Sequence, residues 1–117
     1  MRSVFVIALF CMLFFSVATG AVSADPRSEI AALLSHVAQS ECRFSRNGIW
    51  YSGSEASAHL ERKYRYVADR GGARSAEEFI DQVATRSSIT GLAYRVECLG
   101  RDVVDSAIYL RQVLRRL

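Results

Sequence analysis

The sequence predicts a small α+β domain. A three-stranded antiparallel sheet, a hairpin plus one further strand, packs with about four helices in the order α-β-β-α-α-β-α. Three observations carry this reading. Asn47-Gly48 stands between two short β-forming runs, and Asn-Gly is the strongest short-range hairpin signal, because a type I′ turn needs positive φ at both central residues. Elsewhere, apolar residues recur at helical spacing behind capping sequences. Residues 93–99 alternate in the period of two that marks a half-buried strand.

Taken in order, the chain begins with a segment that reads as an export signal. Arg2 supplies a positive start, residues 4–17 are nearly all apolar, and Val22-Ser23-Ala24 offers small residues where a signal peptidase cuts. Cleavage is expected after Ala24, leaving the protein periplasmic or secreted with no membrane span. At ~1.5 Å per residue the apolar run falls short of the ~30 Å hydrocarbon core; retention as an anchor is the alternative. Bulky Phe10 precedes Cys11, which argues against lipid acylation there.

Residues 25–117 then make one domain of 93 residues. A chain of this size buries roughly 60–70% of its unfolded surface, a thin core. Losing Arg2 leaves 14 basic residues against 12 acidic ones, and the charges are mixed along the chain. The high pI therefore gives no support to nucleic-acid binding.

Cys42 and Cys98 remain. An even count in an exported small domain reads as one disulfide, closing a loop of about 56 residues. Buried free thiols or metal ligands are the alternatives. A metal site would want more Cys or His at short spacing, and the chain has only His36 and His59, so neither metal nor cofactor is expected.

Asp25-Pro26 suits a helix start, with Ile30, Leu33, Leu34 and Val37 as its apolar stripe and His36 on the solvent side. In the hairpin, Arg46 should face Ile49, Ser45 should face Trp50, and Phe44 should face Tyr51. One face then carries Cys42, Phe44, Arg46, Ile49 and Tyr51; the other carries Arg43, Ser45 and Trp50. Ser52-Gly53-Ser54-Glu55 is a capping box opening a helix to about Asp69, with Ala56, Leu60, Tyr64 and Val67 inward and Gly71-Gly72 as its stop. Ser75 to Glu78 is a second box, followed by Phe79, Ile80, Val83 and Ala84. Residues 87–91 form a turn, and the next strand puts Tyr94, Val96 and Cys98 on one face with Arg95 and Glu97 on the other. Residues 100–105 read as a loop. Asp105 or Ser106 caps a last helix with Ala107, Leu110, Val113, Leu114 and Leu117 inward, and Arg111, Arg115 and Arg116 suit its negative end.

The run Cys42-x-Phe44-x-Arg46-Asn47-Gly48, then Tyr51, Glu55-Ala56-x-x-His59-Leu60-x-x-Lys63, Ala76-Glu77-x-Phe79-Ile80 and Ser87-Ser88-x-Thr90-Gly91-x-x-Tyr94 resembles the YfeK-like proteins, domain-of-unknown-function family 5329. The joint spacing, not any single motif, carries the resemblance across nearly all of residues 25–117. It implies an exported protein and brings no activity. Some members lack the cysteine pair, which implies a stabilising disulfide, not an active one.

Chemistry is sought where polar residues border the core. Glu55, His59 and Lys63, spaced i, i+4, i+8, form one helix stripe beside the apolar one. Lys63 is the only lysine among fourteen arginines. The stripe reads either as a surface ion pair or as a ligand site. Arg46, on the inward sheet face, needs a partner; Glu55 is the nearest acid that follows it, and anion recognition is the other role. Ser87 and Ser88 either cap a turn or join Lys63 and His59 around a small anion. Trp50, with Arg43 and Arg95, marks a partner surface if its face is open.

These features favour a non-enzymatic module that binds a protein or a cell-envelope ligand. No residue is assigned a catalytic role. The alternative is a small hydrolase or transferase using His59 with Ser87 or Ser88, which lacks a nucleophile-elbow motif. An inhibitor of an envelope enzyme would fit the size and the disulfide but has no loop motif behind it.

Overall fold

Asn47 and Gly48 adopt φ of 52° and 80°, so the turn is the one that Asn-Gly favours. A computed structural model describes residues 25–117; the leader reading of residues 1–24 lies outside the described residues. The elements are α1 (Pro26–Gln39), β1 (Arg43–Arg46), β2 (Ile49–Ser52), α2 (Gly53–Ala68), α3 (Ala76–Gln82), β3 (Arg95–Glu97), β4 (Val104–Asp105) and α4 (Ser106–Arg116).

The hairpin register is the expected one: Arg46 opposite Ile49, Ser45 opposite Trp50, Phe44 opposite Tyr51. The sheet has four strands, not three, in the order β2-β1-β3-β4, all antiparallel. The added strand is Val104–Asp105, inside the segment expected to be a loop. Two residues are too few to show a period, and only pairing with Arg95 and Val96 makes them a strand. β3 is shorter than expected, because β1 reaches only residues 95–97 and Ala93 bridges to Arg86 instead.

Ile30, Leu33, Val37, Phe79, Ile80, Val83, Leu110 and Val96 are fully buried; α2 and α4 pack on the sheet, and α1 and α3 complete the core behind them. Leu117 is 60% exposed, because the last turn runs past the core. Ile49, expected inward, is 57% exposed at the hairpin tip. His36 is on the surface, as expected, with its ring 5.8 Å from that of Tyr109. Cys42 and Cys98 form the disulfide, with Cα atoms 4.2 Å apart.

The placement of α2 shapes the surface beside the hairpin. It leaves β2 without a loop, through a complete capping box: the Glu55 amide donates to the Ser52 hydroxyl, and the Ser52 amide donates to the Glu55 carboxylate. The second expected box is half formed. Ser75 caps Glu78, but the Glu78 carboxylate takes the Arg74 amide at 2.7 Å instead of the Ser75 amide. Buried Gly53 and Ser57 hold α2 against α1, with the Ser57 hydroxyl donating to the Leu34 carbonyl at 2.8 Å. Pinned to α1, the helix leaves a gap between its first turns and the hairpin end of the sheet.

Candidate functional site

Arg46 ends β1 on the inner face, past the buried Phe44, where the core gives way to that gap. Its guanidinium carbon lies 5.0 Å from the centre of the Tyr51 ring, and one nitrogen donates to the Tyr51 hydroxyl at 3.4 Å. The other terminal nitrogen reaches His59, at 2.6 Å from Nδ1 and 3.1 Å from Nε2. One turn further along α2, Lys63 Nζ donates to the Arg86 carbonyl at 2.7 Å and to the Tyr94 hydroxyl at 3.3 Å. His59 Nε2 lies 3.3 Å from that same hydroxyl. Arg46, His59, Lys63 and Tyr94 thus form one connected cluster, with Tyr51 under the arginine.

Protonation follows from this geometry. An arginine can only donate, so the closer Nδ1 of His59 accepts and Nε2 carries the hydrogen toward Tyr94. Burial, then the positive charges of Arg46, Arg62 and Lys63, lower the His59 pKa to about 4, so the ring is neutral at neutral pH. Burial also lowers the Lys63 pKa and raises that of Tyr94, the latter partly offset by Arg46. With His59 and Lys63 both donating to it, the Tyr94 oxygen is satisfied as an acceptor. Among the described residues, no carboxylate forms a salt bridge with Arg46 or Lys63.

Two connected cavities occupy the gap. One, of about 280 Å³, is walled by Phe44, Tyr51, Ala56, Leu60 and Tyr94. The other, of about 460 Å³, lies toward Lys63, Ser88 and Ile89. Arg46, Tyr51, His59 and Tyr94 line both, so the cluster sits at the junction of one two-lobed groove.

The structure brings Arg46, His59 and Lys63 together; Glu55 lines the smaller lobe and Ser87 and Ser88 the larger one, without bonding to them. Glu55 does not pair with Arg46. Its carboxylate is occupied by the Ser52 amide and hydroxyl, while the Arg46 chain lies over Tyr51 and reaches one helical turn further, to His59. Ser87 is buried and engaged in its own turn: its oxygen accepts from the Ile89 and Thr90 amides and from Asn47 Nδ2, each at 3.3 Å. Ser88 lines the second lobe. On the opposite sheet face, Arg43 and Arg95 are exposed and Trp50 is half-buried. Arg43 stacks over Trp50 at 5.9 Å, and Arg95 is neutralised by Asp105 at 3.8 Å. No group of three His, Cys, Asp or Glu side chains among the described residues could hold a metal ion. No described helix is long and apolar enough to cross a membrane.

Tyr94 and Tyr51 are the functional residues that sequence reasoning leaves among the core positions. The signal that could find them is their hydroxyls: a tyrosine on an inward face needs a polar partner, and the cationic stripe of α2 is predicted nearby. Asn47, read as turn chemistry, also ties the hairpin to residues 87–90, with its carboxamide oxygen accepting from the Thr90 hydroxyl.

Comparison with known proteins places residues 24–117 under the model of a family of unknown function (DUF5329). Over 74 residues the chain is 40% identical to a protein named "Uncharacterized protein YfeK" from Salmonella typhimurium (strain LT2), covering 62% of this chain and 60% of that relative. No solved structure matches.

Proposed function

The chain belongs to the family of unknown function DUF5329, and from its groove we propose a non-enzymatic binding module that takes a small anionic ligand between Arg46, Lys63 and Tyr94. The observation that carries this is the imbalance of the cluster. Two cationic side chains line a half-buried groove with no carboxylate paired to them among the described residues. Such donors are only partly hydrated there, so an anion gains more from them than from surface charges; a charge-assisted hydrogen bond contributes about 1.5–3 kcal/mol. The hydrolase alternative has no support from this geometry, because no hydrogen bond among the described residues joins His59 to Ser87 or Ser88.

Titrating the full chain with acetate, phosphate and sulfate tests the reading. At least one should bind, and Arg46→Ala should weaken it at least tenfold, with Lys63→Ala smaller but in the same direction and Arg43→Ala without effect. Binding by none of them, or equal binding by wild type and Arg46→Ala, would contradict it.

We propose, separately, that the protein acts outside the cytoplasm. The leader-like residues 1–24 and the disulfide support this. Mass spectrometry of the cell-envelope fraction should find a chain starting at Asp25; a chain kept whole in the cytoplasm would contradict export.

A further inference from the structure

Resting on the anion reading above, we propose that the ligand is an amphiphile: a carboxylate head at the Arg46–His59–Tyr94 junction and an unbranched acyl chain of about six to ten carbons in the smaller lobe. That lobe is walled mainly by carbon, from Phe44, the Tyr51 and Tyr94 rings, Ala56 and Leu60, with Ser45, Glu55, Arg62 and Ser106 also lining it, and it opens onto Arg46 and His59. A volume of about 280 Å³ holds roughly nine groups of the ~30 Å³ that a water takes up in the liquid, and a methylene is of similar size. A sugar or a short polyol would lose hydration against walls that are mostly carbon. A bare anion would leave the apolar lobe unused.

The lobe is built into the fold. α2 lies close on α1 at Gly53 and through the bond from Ser57 to the Leu34 carbonyl, which fixes where it stands beside the hairpin. Ala56, partly buried, faces the gap with a side chain too short to fill it. The charge at one end and the carbon walls beside it therefore select a head and a tail in one molecule. Each methylene moved from water into such a lobe should tighten binding about threefold to fourfold.

An NMR titration of the full chain with acetate, butanoate, hexanoate, octanoate and decanoate, with 1-octanol as an uncharged control, decides the question. Affinity should rise about threefold to fourfold per methylene between butanoate and octanoate and level off near decanoate. Octanol should bind at least tenfold more weakly than octanoate. Octanoate, and not acetate, should shift the Ala56 and Leu60 methyl signals. Ala56→Phe, which fills the lobe, should remove the chain-length dependence; if it fails to fold, the methyl shifts of the wild type still decide. Arg46-dependent acetate binding with no chain-length dependence would overturn the amphiphile and leave the anion site standing. Failure of every carboxylate, phosphate and sulfate to bind would overturn both.

Discussion

Replacing Cys42 and Cys98 together by alanine should lower stability by about 4 kcal/mol, the chain-entropy value for a loop of this length. The bond links residues 56 apart in sequence, at the ends of β1 and β3. The loop it closes holds the hairpin, α2 and α3, so opening it frees the whole wall of the groove in the unfolded ensemble. For a domain of this size, 1 kcal/mol corresponds to about 4–8 °C, so the midpoint should fall by roughly 15–30 °C. Thermal unfolding of the double variant, and of wild type under reductant, checks this. A drop of less than about 5 °C in both would mean that the bond contributes little.

Gly53→Ala should cost about 2–3 kcal/mol, against the usual sign. Alanine in place of a helical glycine normally stabilises by up to ~1 kcal/mol. Here a Cβ would collide with the Val37 carbonyl oxygen and stand 3.0 Å from that of Ser40, both backbone atoms that no rotamer change can move. Relief requires α2 to lift off α1, which would also widen the groove. Ser54→Ala, next along and exposed, is the control and should stay within about 0.5 kcal/mol. Chemical denaturation of both variants separates the cases; a stabilised Gly53→Ala would show that the two helices are not clamped there.

Much of this fold is legible in the sequence because local chemistry and tertiary structure agree. Asn47-Gly48 sets the hairpin register, and the Ser52 and Ser75 caps set two helix starts. The periodic stripes of α1, α3 and α4 supply most of the core. The features that are not legible depend on partners distant in sequence. Val104–Asp105 is a strand only because β3 lies beside it. Arg46 does need a partner, as its inward position implies, but the nearest acid that follows it is Glu55, whose carboxylate is committed to its own helix start. His59 lies one turn further along the same stripe, and the direction of the Arg46 side chain decides between them. Likewise, Ser87 is an acceptor within its own turn, a role that spacing does not distinguish from that of a nucleophile.

The cations gathered at His59 have a direct readout. In the folded protein its pKa is about 4, below the 6.5 of a free histidine, so between these values the unfolded chain binds more protons than the folded one. Stability therefore falls as pH drops from 6.5 toward 4, and an anion seated beside Arg46 raises the His59 value. An NMR pH titration of the His59 ring, assigned with His59→Gln, should give a midpoint near 4 in the free protein and a higher one with octanoate bound. A midpoint at or above 6.5 in the free protein, unmoved by any anion, would mean that Arg46 and Lys63 do not converge on this ring and that the groove is not an anion site.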